Sequence, residues 1–345
     1  MAAMPVATLP VALDAMGGDR APRETVAGAV AAVRDHGIPV LLVGRVGELE
    51  PLVRALGGPL PGLALLDAPE TVAMEEHAVA AVRRKRRASI VVACQEVREG
   101  RAAAVVSAGN SGAVVAAAIF VLGRRSGIER PGIAIPFPTS DGTPCYLIDA
   151  GAVVDPRPPV LLGYAELVTD YLRQVRGLAR PRIGLLNNGE EPGKGNALAR
   201  ESFALLSAAQ DVNFIGNVEA NVLALGAADA VVTDGFSGNV ALKSAEGAAA
   251  LFQSVLRREL TRSWHDKLVA ALLRPAFRRV ARSLDYREYG GAPLLGVRGT
   301  VIIAHGRSDA HAITRAIVAA QRSVVPIEVT GSKKEPVDDV PPAPS

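Results

Sequence analysis

Short aliphatic runs that end in glycine-, asparagine-, aspartate- or serine-rich loops recur along this chain, and a helical pattern follows each loop. Such runs end at Asp14, Ser107, Asn187, Thr233 and Ala304. Repetition of strand, small-residue loop and helix is typical of a doubly wound α/β fold with a mostly parallel sheet. Because ligands bind beyond the carboxyl ends of the strands in such sheets, we expect these loops to meet at one sheet edge.

The length of 345 residues allows one large α/β domain or two smaller ones. Hydrophobic residues make up 49% of the 345 residues and aromatic residues only 4%, so small aliphatic side chains must form most of the core. We predict one domain over residues 1–328, with a helical hairpin at about 250–285. Residues 329–345 are rich in proline and charge with little to bury, and we predict a disordered tail there.

Cysteine and histidine usage argues against a metal site or a disulfide framework. The two cysteines, Cys94 and Cys145, have no metal-ligand spacing, and the five histidines are scattered. The first ten residues lack a signal-peptide pattern, and no stretch reaches the ~18 uncharged apolar residues of a spanning helix. We therefore expect a soluble cytoplasmic protein with no metal and no cofactor.

Two loops are the best candidates for holding a phosphate, and they span residues 107–112 and 233–239. Backbone N–H groups at a helix start point outward, the helix dipole favours an anion, and glycine permits close approach. An ordinary turn with an N-cap uses the same residue types, so each loop alone has a purely structural explanation. The predicted substrate- and phosphate-binding residues are Asp14, Gly17, Gly18, Gly109, Asn110, Ser111, Gly112, Asp234, Gly235, Ser237, Gly238 and His305.

The aspartates of these loops, Asp14, Asp19 and Asp234, are expected to orient loops and cap helices rather than to act as bases. Neither a P-loop nor a dinucleotide-binding fingerprint is present, so a free phosphate or a pantetheine-linked donor is favoured over a dinucleotide. A further glycine-rich loop carries Lys194, whose compact positive charge suits phosphate or a developing oxyanion. A solvated surface loop would give the same pattern.

No residue has the sequence context of a catalytic nucleophile. Cys94 and Cys145 lie in apolar runs without an adjacent base, and we expect both in or near the core. Ser111 and Ser237 lack the nucleophile-elbow pattern. Direct displacement by phosphate is therefore favoured over a covalent enzyme intermediate.

A basic amphipathic stretch lies between residues 250 and 285. Its apolar residues recur every three or four positions among many arginines, which predicts two helices joined at residues 272–275, where Pro275 breaks the pattern. Such a surface suits an anionic bilayer, an acidic protein or a second subunit, whereas nucleic acid is disfavoured because no aromatic platform is present. The predicted membrane or partner contacts are Trp264, Leu272, Leu273, Arg274 and Phe277.

The loop motifs together resemble one family, the acyl carrier protein–phosphate acyltransferases of bacterial phospholipid synthesis. The matches run in the family's order over residues 10 to 325. They include Leu-Asp-Ala-Met-Gly-Gly-Asp at 13–19 and Ser-Ala-Gly-Asn-Ser-Gly-Ala at 107–113. Further matches lie at 81–85, 127–131, 174–177, 184–187, 194–196, 213–219, 232–240, 289–292 and 304–306.

This resemblance implies a fold like those of phosphotransacetylases and isopropylmalate dehydrogenases, with a protruding amphipathic helical hairpin. It implies reversible transfer of a fatty acyl group from acyl carrier protein to inorganic phosphate, with Lys194 and Asn239 in the active site. It also implies a homodimer, peripheral association with an anionic membrane, and delivery of acyl phosphate to a membrane glycerol-3-phosphate acyltransferase.

The chain departs from the family pattern at one position, and two alternative functions also fit the sequence. The family's Asp-Val-Gly-Ala-Asn appears here as residues 149–153, where Val153 replaces the asparagine, so a polar side-chain role at that position is in doubt. A phosphotransacetylase that uses acyl-CoA would share the fold and the chemistry. A non-catalytic membrane scaffold built on the basic hairpin is the alternative from another class.

Overall fold

A computed structural model describes residues 9–283 and 286–324, without the side chains at 274, 276, 278–283, 286 and 287. The predicted tail at 329–345 lies outside these residues. The strands are β1 (Val11–Asp14), β2 (Val40–Gly44), β3 (Leu63–Asp67), β4 (Ala104–Ser107), β5 (Gly132–Phe137), β6 (Cys145–Ile148), β7 (Arg182–Asn187), β8 (Asn213–Glu219), β9 (Ala230–Val232), β10 (Ala292–Leu295) and β11 (Thr300–Ile303).

The α-helices cover both faces of the sheet, as expected for a doubly wound fold. They are α1 (Arg23–His36), α2 (Val46–Ala55), α3 (Ala78–Arg84), α4 (Ser89–Arg98), α5 (Ser111–Ala117), α6 (Pro158–Arg176), α7 (Ala197–Ala208), α8 (Gly235–Leu260), α9 (Trp264–Ser283) and α10 (Ala310–Ser323). A π-helical turn, Ala118–Leu122, continues α5.

The strands form one sheet in the order β3-β2-β1-β4-β11-β10-β5-β6-β9-β7-β8. The five strands from β3 to β11 are parallel to one another, and so are β6, β9, β7 and β8. Strand β10 is antiparallel to β11 and to β5, and β5 is antiparallel to β6. The prediction of a mostly parallel sheet is confirmed.

These three antiparallel pairs in succession have a consequence for the site. They leave the β6–β8 half of the sheet running opposite to the β3–β11 half, so the carboxyl ends of the two halves lie at opposite edges. The prediction that all the glycine-rich loops share one sheet edge is therefore wrong. The loops form two groups, one for each half.

Successive side chains along the buried strands point to opposite faces of the sheet, and each face has its own hydrophobic core. In β1, Ala12 packs with residues of α4 and α5, whereas Val11 and Leu13 pack with residues of α1 and α10. In β6, Ile148 packs against α6 and α7 on one face and Leu147 packs on the other. Such alternation is what a two-faced sheet requires of its strands.

Both cysteines lie in this core, as predicted. Cys94 and Cys145 are buried and unpaired. Burial raises the pKa of the Cys94 thiol and raises that of Cys145 to about 12, so neither supplies a thiolate at neutral pH.

The joint of the amphipathic stretch differs from the prediction. Helix α8 ends at Leu260 and α9 begins at Trp264, so the turn lies at residues 261–263, while Pro275 lies within α9. Ser263 fixes this start, because Ser263 Oγ accepts from the Asp266 N–H at 3.1 Å and Asp266 Oδ2 accepts from the Ser263 N–H at 3.0 Å. That reciprocal pair is a capping box.

Helices α1 and α10 pack closely at Gly28. A Cβ added to Gly28 would lie 2.6 Å from Cβ of Ile313 and 2.8 Å from the Ala310 carbonyl oxygen. We expect Gly28→Ala to lower the free energy of unfolding by about 1–3 kcal/mol, because the two helices must move apart. Urea unfolding followed by circular dichroism measures the change.

Gly163→Ala is the matched control, because a Cβ on Gly163 in α6 would meet nothing within 4 Å. Relief of the entropic cost of a helical glycine should raise the free energy of unfolding by about 0.5–1 kcal/mol. If both variants unfolded at the same urea concentration, the close packing of α1 on α10 would be refuted.

Candidate active site

The loops after β1, β4 and β11 interlock to form the first group. Ser107 Oγ donates to Asp14 Oδ2 at 2.7 Å and accepts from the Gly109 N–H at 3.1 Å. A Cβ on Gly17 would lie 2.8 Å from the Gly109 nitrogen, and the Asp19 N–H donates to the Gly306 carbonyl at 2.8 Å. Glycine is needed here because one backbone lies directly against another.

Asp14 orients these loops, as predicted, and is almost fully buried. Burial raises the pKa of its carboxyl group, while hydrogen bonds from the side chains of Ser89 and Ser107 and from backbone N–H groups act in the opposite direction. The Gly109 N–H, which we predicted to hold phosphate, is engaged by Ser107 and is not free for an anion.

The start of α5 is held by Asn110. Asn110 Oδ1 accepts from the Ala113 N–H at 3.1 Å, and Asn110 Nδ2 donates to the carbonyl oxygens of Met74 at 2.9 Å and Glu76 at 3.2 Å. The Asn110 amide is thus used to cap the helix and to hold the neighbouring segment. Over the described part of the chain, the N–H groups of Ser111 and Gly112 have no hydrogen-bond partner.

The second group is organised by Asp149, which directly follows β6 and is fully buried. Its Oδ1 accepts from the N–H groups of Ile133 at 2.9 Å, Gly151 at 3.2 Å and Ala152 at 3.1 Å, and its Oδ2 accepts from the Val153 N–H at 2.7 Å. Burial raises the pKa of this carboxyl group, and the four N–H groups act against that rise. The loop is therefore wrapped around one carboxylate.

Val153 contributes to this loop through its backbone. Its N–H donates to Asp149, and its carbonyl oxygen accepts from the Gly235 N–H at 2.8 Å. These contacts do not depend on the side chain that replaces the family's asparagine.

The start of α8 packs against the Asp149 loop. Asp234 Oδ1 accepts from the Ser237 N–H at 2.7 Å, which confirms Asp234 as a helix cap. A Cβ on Gly238 would lie 2.0 Å from the Asp149 carbonyl oxygen, so glycine permits contact with this loop. The N–H groups of Gly235, Ser237 and Gly238 all have partners within the protein, so the prediction that they hold phosphate is not supported in this conformation.

The two residues proposed for catalysis lie beside this packed region. The Asn239 amide lies against Gly151, where an added Cβ would be 3.5 Å from Asn239 Nδ2 and where φ is +128°. Lys194 is exposed, and no ion pair of its ammonium group is found among the described residues. Asn187 Nδ2 donates to the Lys194 carbonyl at 3.1 Å, which fixes the backbone of the loop that carries the lysine.

His305 connects the first group to α8. Its Nδ1 accepts from the Arg307 N–H at 3.1 Å, which places the proton of the neutral ring on Nε2. Burial lowers the pKa of His305, and so does the positive charge of Lys243 in α8. The same helix that begins at the Asp149 loop therefore passes close to His305.

The structure thus divides the predicted residues between two groups. Asp14, Gly17, Gly18, Gly109, Asn110, Ser111, Gly112 and His305 belong to the first, and Asp234, Gly235, Ser237, Gly238 and Asn239 belong to the second, with Lys194 on a nearby loop. Sequence reasoning missed Ser107 as a link and Asp149 as an organising group. The signal for Asp149 was a strand that ends in aspartate before glycine.

The predicted surface contacts are mostly exposed. Leu272 is 81% exposed and Trp264 66%, Leu273 is also exposed, and Phe277 is half-buried. The side chain of Arg274 lies outside the described residues. Within residues 9–283 and 286–324, no helix is long and apolar enough to span a bilayer, and no group of three or more histidine, cysteine or acidic side chains could hold a metal ion.

Comparison with known proteins identifies the family. A family model described as "Fatty acid synthesis protein" matches residues 9–327. The chain is 46% identical over 95% of its length to a phosphate acyltransferase from a Geobacillus strain, covering 98% of that protein. It is 48% identical over 93% of its length to one from Thermobifida fusca, covering 89% of that protein. The chain belongs to the phosphate acyltransferase family.

Solved structures confirm the fold of this family member. A phosphotransacetylase from Streptococcus pyogenes matches with a TM-score of 0.63 at 17% identity, covering 92% of this chain and 94% of the other. A 4-hydroxythreonine-4-phosphate dehydrogenase from Klebsiella pneumoniae matches with a TM-score of 0.56 at 14% identity, covering 92% and 100%. The predicted phosphotransacetylase-like architecture is therefore confirmed.

The Asp149 loop can be tested by Asp149→Asn. An amide retains one acceptor oxygen, and its NH₂ group would face the Val153 N–H, so one buried donor loses its partner. We expect the free energy of unfolding to fall by about 1–3 kcal/mol. Hydrogen exchange measured by NMR should become faster at the Val153 amide.

Asp155→Asn is the matched control. Asp155 is exposed, and its substitution removes the same charge six residues further along the chain. It should change neither stability nor exchange. Unaltered exchange at Val153 in Asp149→Asn would contradict the hydrogen-bonding role assigned to the carboxylate.

Proposed function

We propose that this protein transfers a fatty acyl group from the thioester of acyl carrier protein to inorganic phosphate, reversibly, to supply acyl phosphate for phospholipid synthesis. High identity to phosphate acyltransferases over nearly the whole chain supports this function. The observation that carries it structurally is one opening in the second half of the sheet. The Lys194 loop lines it through Gly195 and Asn196, and the start of α8 lines it through Asp234 and Ser237.

The proposed reaction needs no covalent enzyme intermediate. An oxygen of the phosphate dianion attacks the thioester carbonyl carbon, and a C–O bond forms as the carbonyl becomes an oxyanion. Collapse of this tetrahedral species breaks the C–S bond, and the leaving thiolate receives the proton that the phosphate gives up. The buried cysteines, which stay protonated, are consistent with direct displacement.

In this mechanism the positive charge of Lys194 stabilises phosphate or the oxyanion, and the Asn239 amide donates a hydrogen bond to the same centre. The wrapped Asp149 loop keeps Gly151 against Asn239 and thereby fixes its side chain. The free N–H groups of Ser111 and Gly112 are further candidates for holding an anion. Asp14 positions the loops of the first group.

The donor comparison tests the proposed function directly. Purified protein is incubated with radiolabelled phosphate and either palmitoyl acyl carrier protein or palmitoyl-CoA, and acyl phosphate is trapped with hydroxylamine. We expect phosphate-dependent product with a kcat/KM at least tenfold higher for the carrier protein. A preference for CoA would favour a phosphotransacetylase, and no product from either donor would favour a scaffold.

Lys194→Ala tests the role of the lysine. Loss of one group that stabilises the transition state should lower kcat by about 100-fold or more in the assay above, with an unchanged unfolding midpoint. Arg180→Ala is the matched control, because it removes one exposed positive charge just before β7, at the opposite end of that strand. Activity of Lys194→Ala equal to that of Arg180→Ala would remove Lys194 from the mechanism.

We further propose that the α8–α9 segment (residues 235–283) mediates peripheral binding to an anionic membrane and contributes to a homodimer. Support comes from its exposed apolar side chains, which include Leu251, Phe252, Trp264, Leu268 and Leu272, and from the arginines around them. Such a surface buries apolar side chains among headgroups while cations meet anionic lipid. Membrane contact would bring the acyl phosphate to a membrane glycerol-3-phosphate acyltransferase.

Leu272→Ser tests membrane binding. The wild-type protein should sediment with vesicles that contain phosphatidylglycerol but not with phosphatidylcholine vesicles, and Leu272→Ser should lower the partition coefficient about tenfold. Leu225→Ser is the matched control, because Leu225 is 66% exposed outside the α8–α9 segment. Equal sedimentation of both variants with the anionic vesicles would contradict the proposed contact.

A further inference from the structure

A cavity of about 760 Å³ extends from the opening between the Lys194 loop and the start of α8. Most of its lining residues are apolar and come from several elements, including Leu186 of β7, Leu198 of α7, Leu223, and Val240, Ala245 and Ala248 of α8. The volume lies within the range of ~300–1,000 Å³ that is usual for sites that bind small organic ligands.

Three of the polar side chains that line this cavity, those of Asn187, Asn196 and Asp234, are used by the fold. Asn196 caps α7 by accepting from the Ala199 N–H at 2.8 Å, and Asp234 caps α8. Asn187 donates to the Lys194 carbonyl and accepts from the Asn188 N–H. Most of the described lining residues are apolar and Asp234 is the one charged residue among them, so a ligand that fills the cavity meets mainly apolar surface.

Helix α8 separates this cavity from the Asn239 side of the site. Ser237, Ala241, Ser244 and Ala248 recur at three- and four-residue spacing and line the cavity, whereas Asn239 is on another face, against Gly151. Small side chains on the cavity face leave the space open. A thioester held between the Lys194 loop and the start of α8 would have its hydrocarbon along the cavity face of α8.

We propose that this cavity is the binding site for the fatty acyl chain of the donor, and that the small residues of α8 set the longest chain accepted. This inference rests on the proposed function. It assigns the cavity to hydrocarbon because most of its described lining residues are apolar, whereas the amide groups of a pantetheine arm would need polar partners along their whole length.

Ala245→Leu tests the proposal, and Ala248→Leu repeats the test at a second point of the wall. We measure kcat/KM with carrier proteins that bear acyl chains of 8, 12 and 16 carbons. A leucine adds three heavy atoms to the wall, and each methylene no longer buried costs about fourfold. We expect a loss of roughly tenfold or more with 16 carbons and little change with 8.

Ala250→Leu is the matched control, because Ala250 is exposed in the same helix and does not line the cavity. Its chain-length profile should equal that of the wild-type protein. A folded Ala245→Leu or Ala248→Leu enzyme whose profile also matched would overturn the proposal. An equal loss at all chain lengths would likewise overturn it, and would assign the cavity to the pantetheine arm.

The two hypotheses fail in different ways. If the wild-type protein produced no acyl phosphate from any chain length, the proposed function itself would fail. If the wild-type protein were active and the variants kept its preference for 16 carbons, only the assignment of the cavity would fail.

Discussion

One buried carboxylate determines the geometry of the second half of the site. The Asp149 carboxylate accepts hydrogen bonds from four backbone N–H groups, and three of these belong to the loop that follows it. That loop positions Gly151 against Asn239 and supplies the carbonyl that engages the first N–H of α8. A buried charge is tolerated there because hydrogen bonds replace its lost hydration. The start of the longest helix therefore depends on one side chain that touches no substrate in the proposed mechanism.

Features governed by local rules could be predicted from the sequence. Strands β1, β4, β7, β9 and β11 end at or next to the predicted residues, and Asp234 caps the helix that follows its loop. The burial of Cys94 followed from its apolar helical context. Each of these depends on neighbours within a few residues, where the side-chain pattern and capping chemistry are decisive.

Features that depend on distant partners could not be predicted in this way. Strands β5 and β10 contain Pro136 and Pro293 and give no clear strand pattern, yet they reverse the direction of half the sheet. The glycines at 235 and 238 have the pattern of an anion site, but a loop some 80 residues earlier in the chain occupies their surroundings. The joint before Trp264 has a local signal in the Ser263–Asp266 capping box, whereas Pro275 is accommodated within α9.

The length of α8 sets the distance between Asn239 and the turn to α9. It is a single helix of 26 residues, and Asn239 lies in its second turn while its last residue, Leu260, adjoins the turn to α9. At a rise of 1.5 Å per residue, that turn stands about 30 Å along the axis from Asn239. In the proposed membrane-bound state, a distal end resting on the bilayer would hold Asn239 up to that distance above the lipid, and the acyl phosphate would have to cross this gap to enter it.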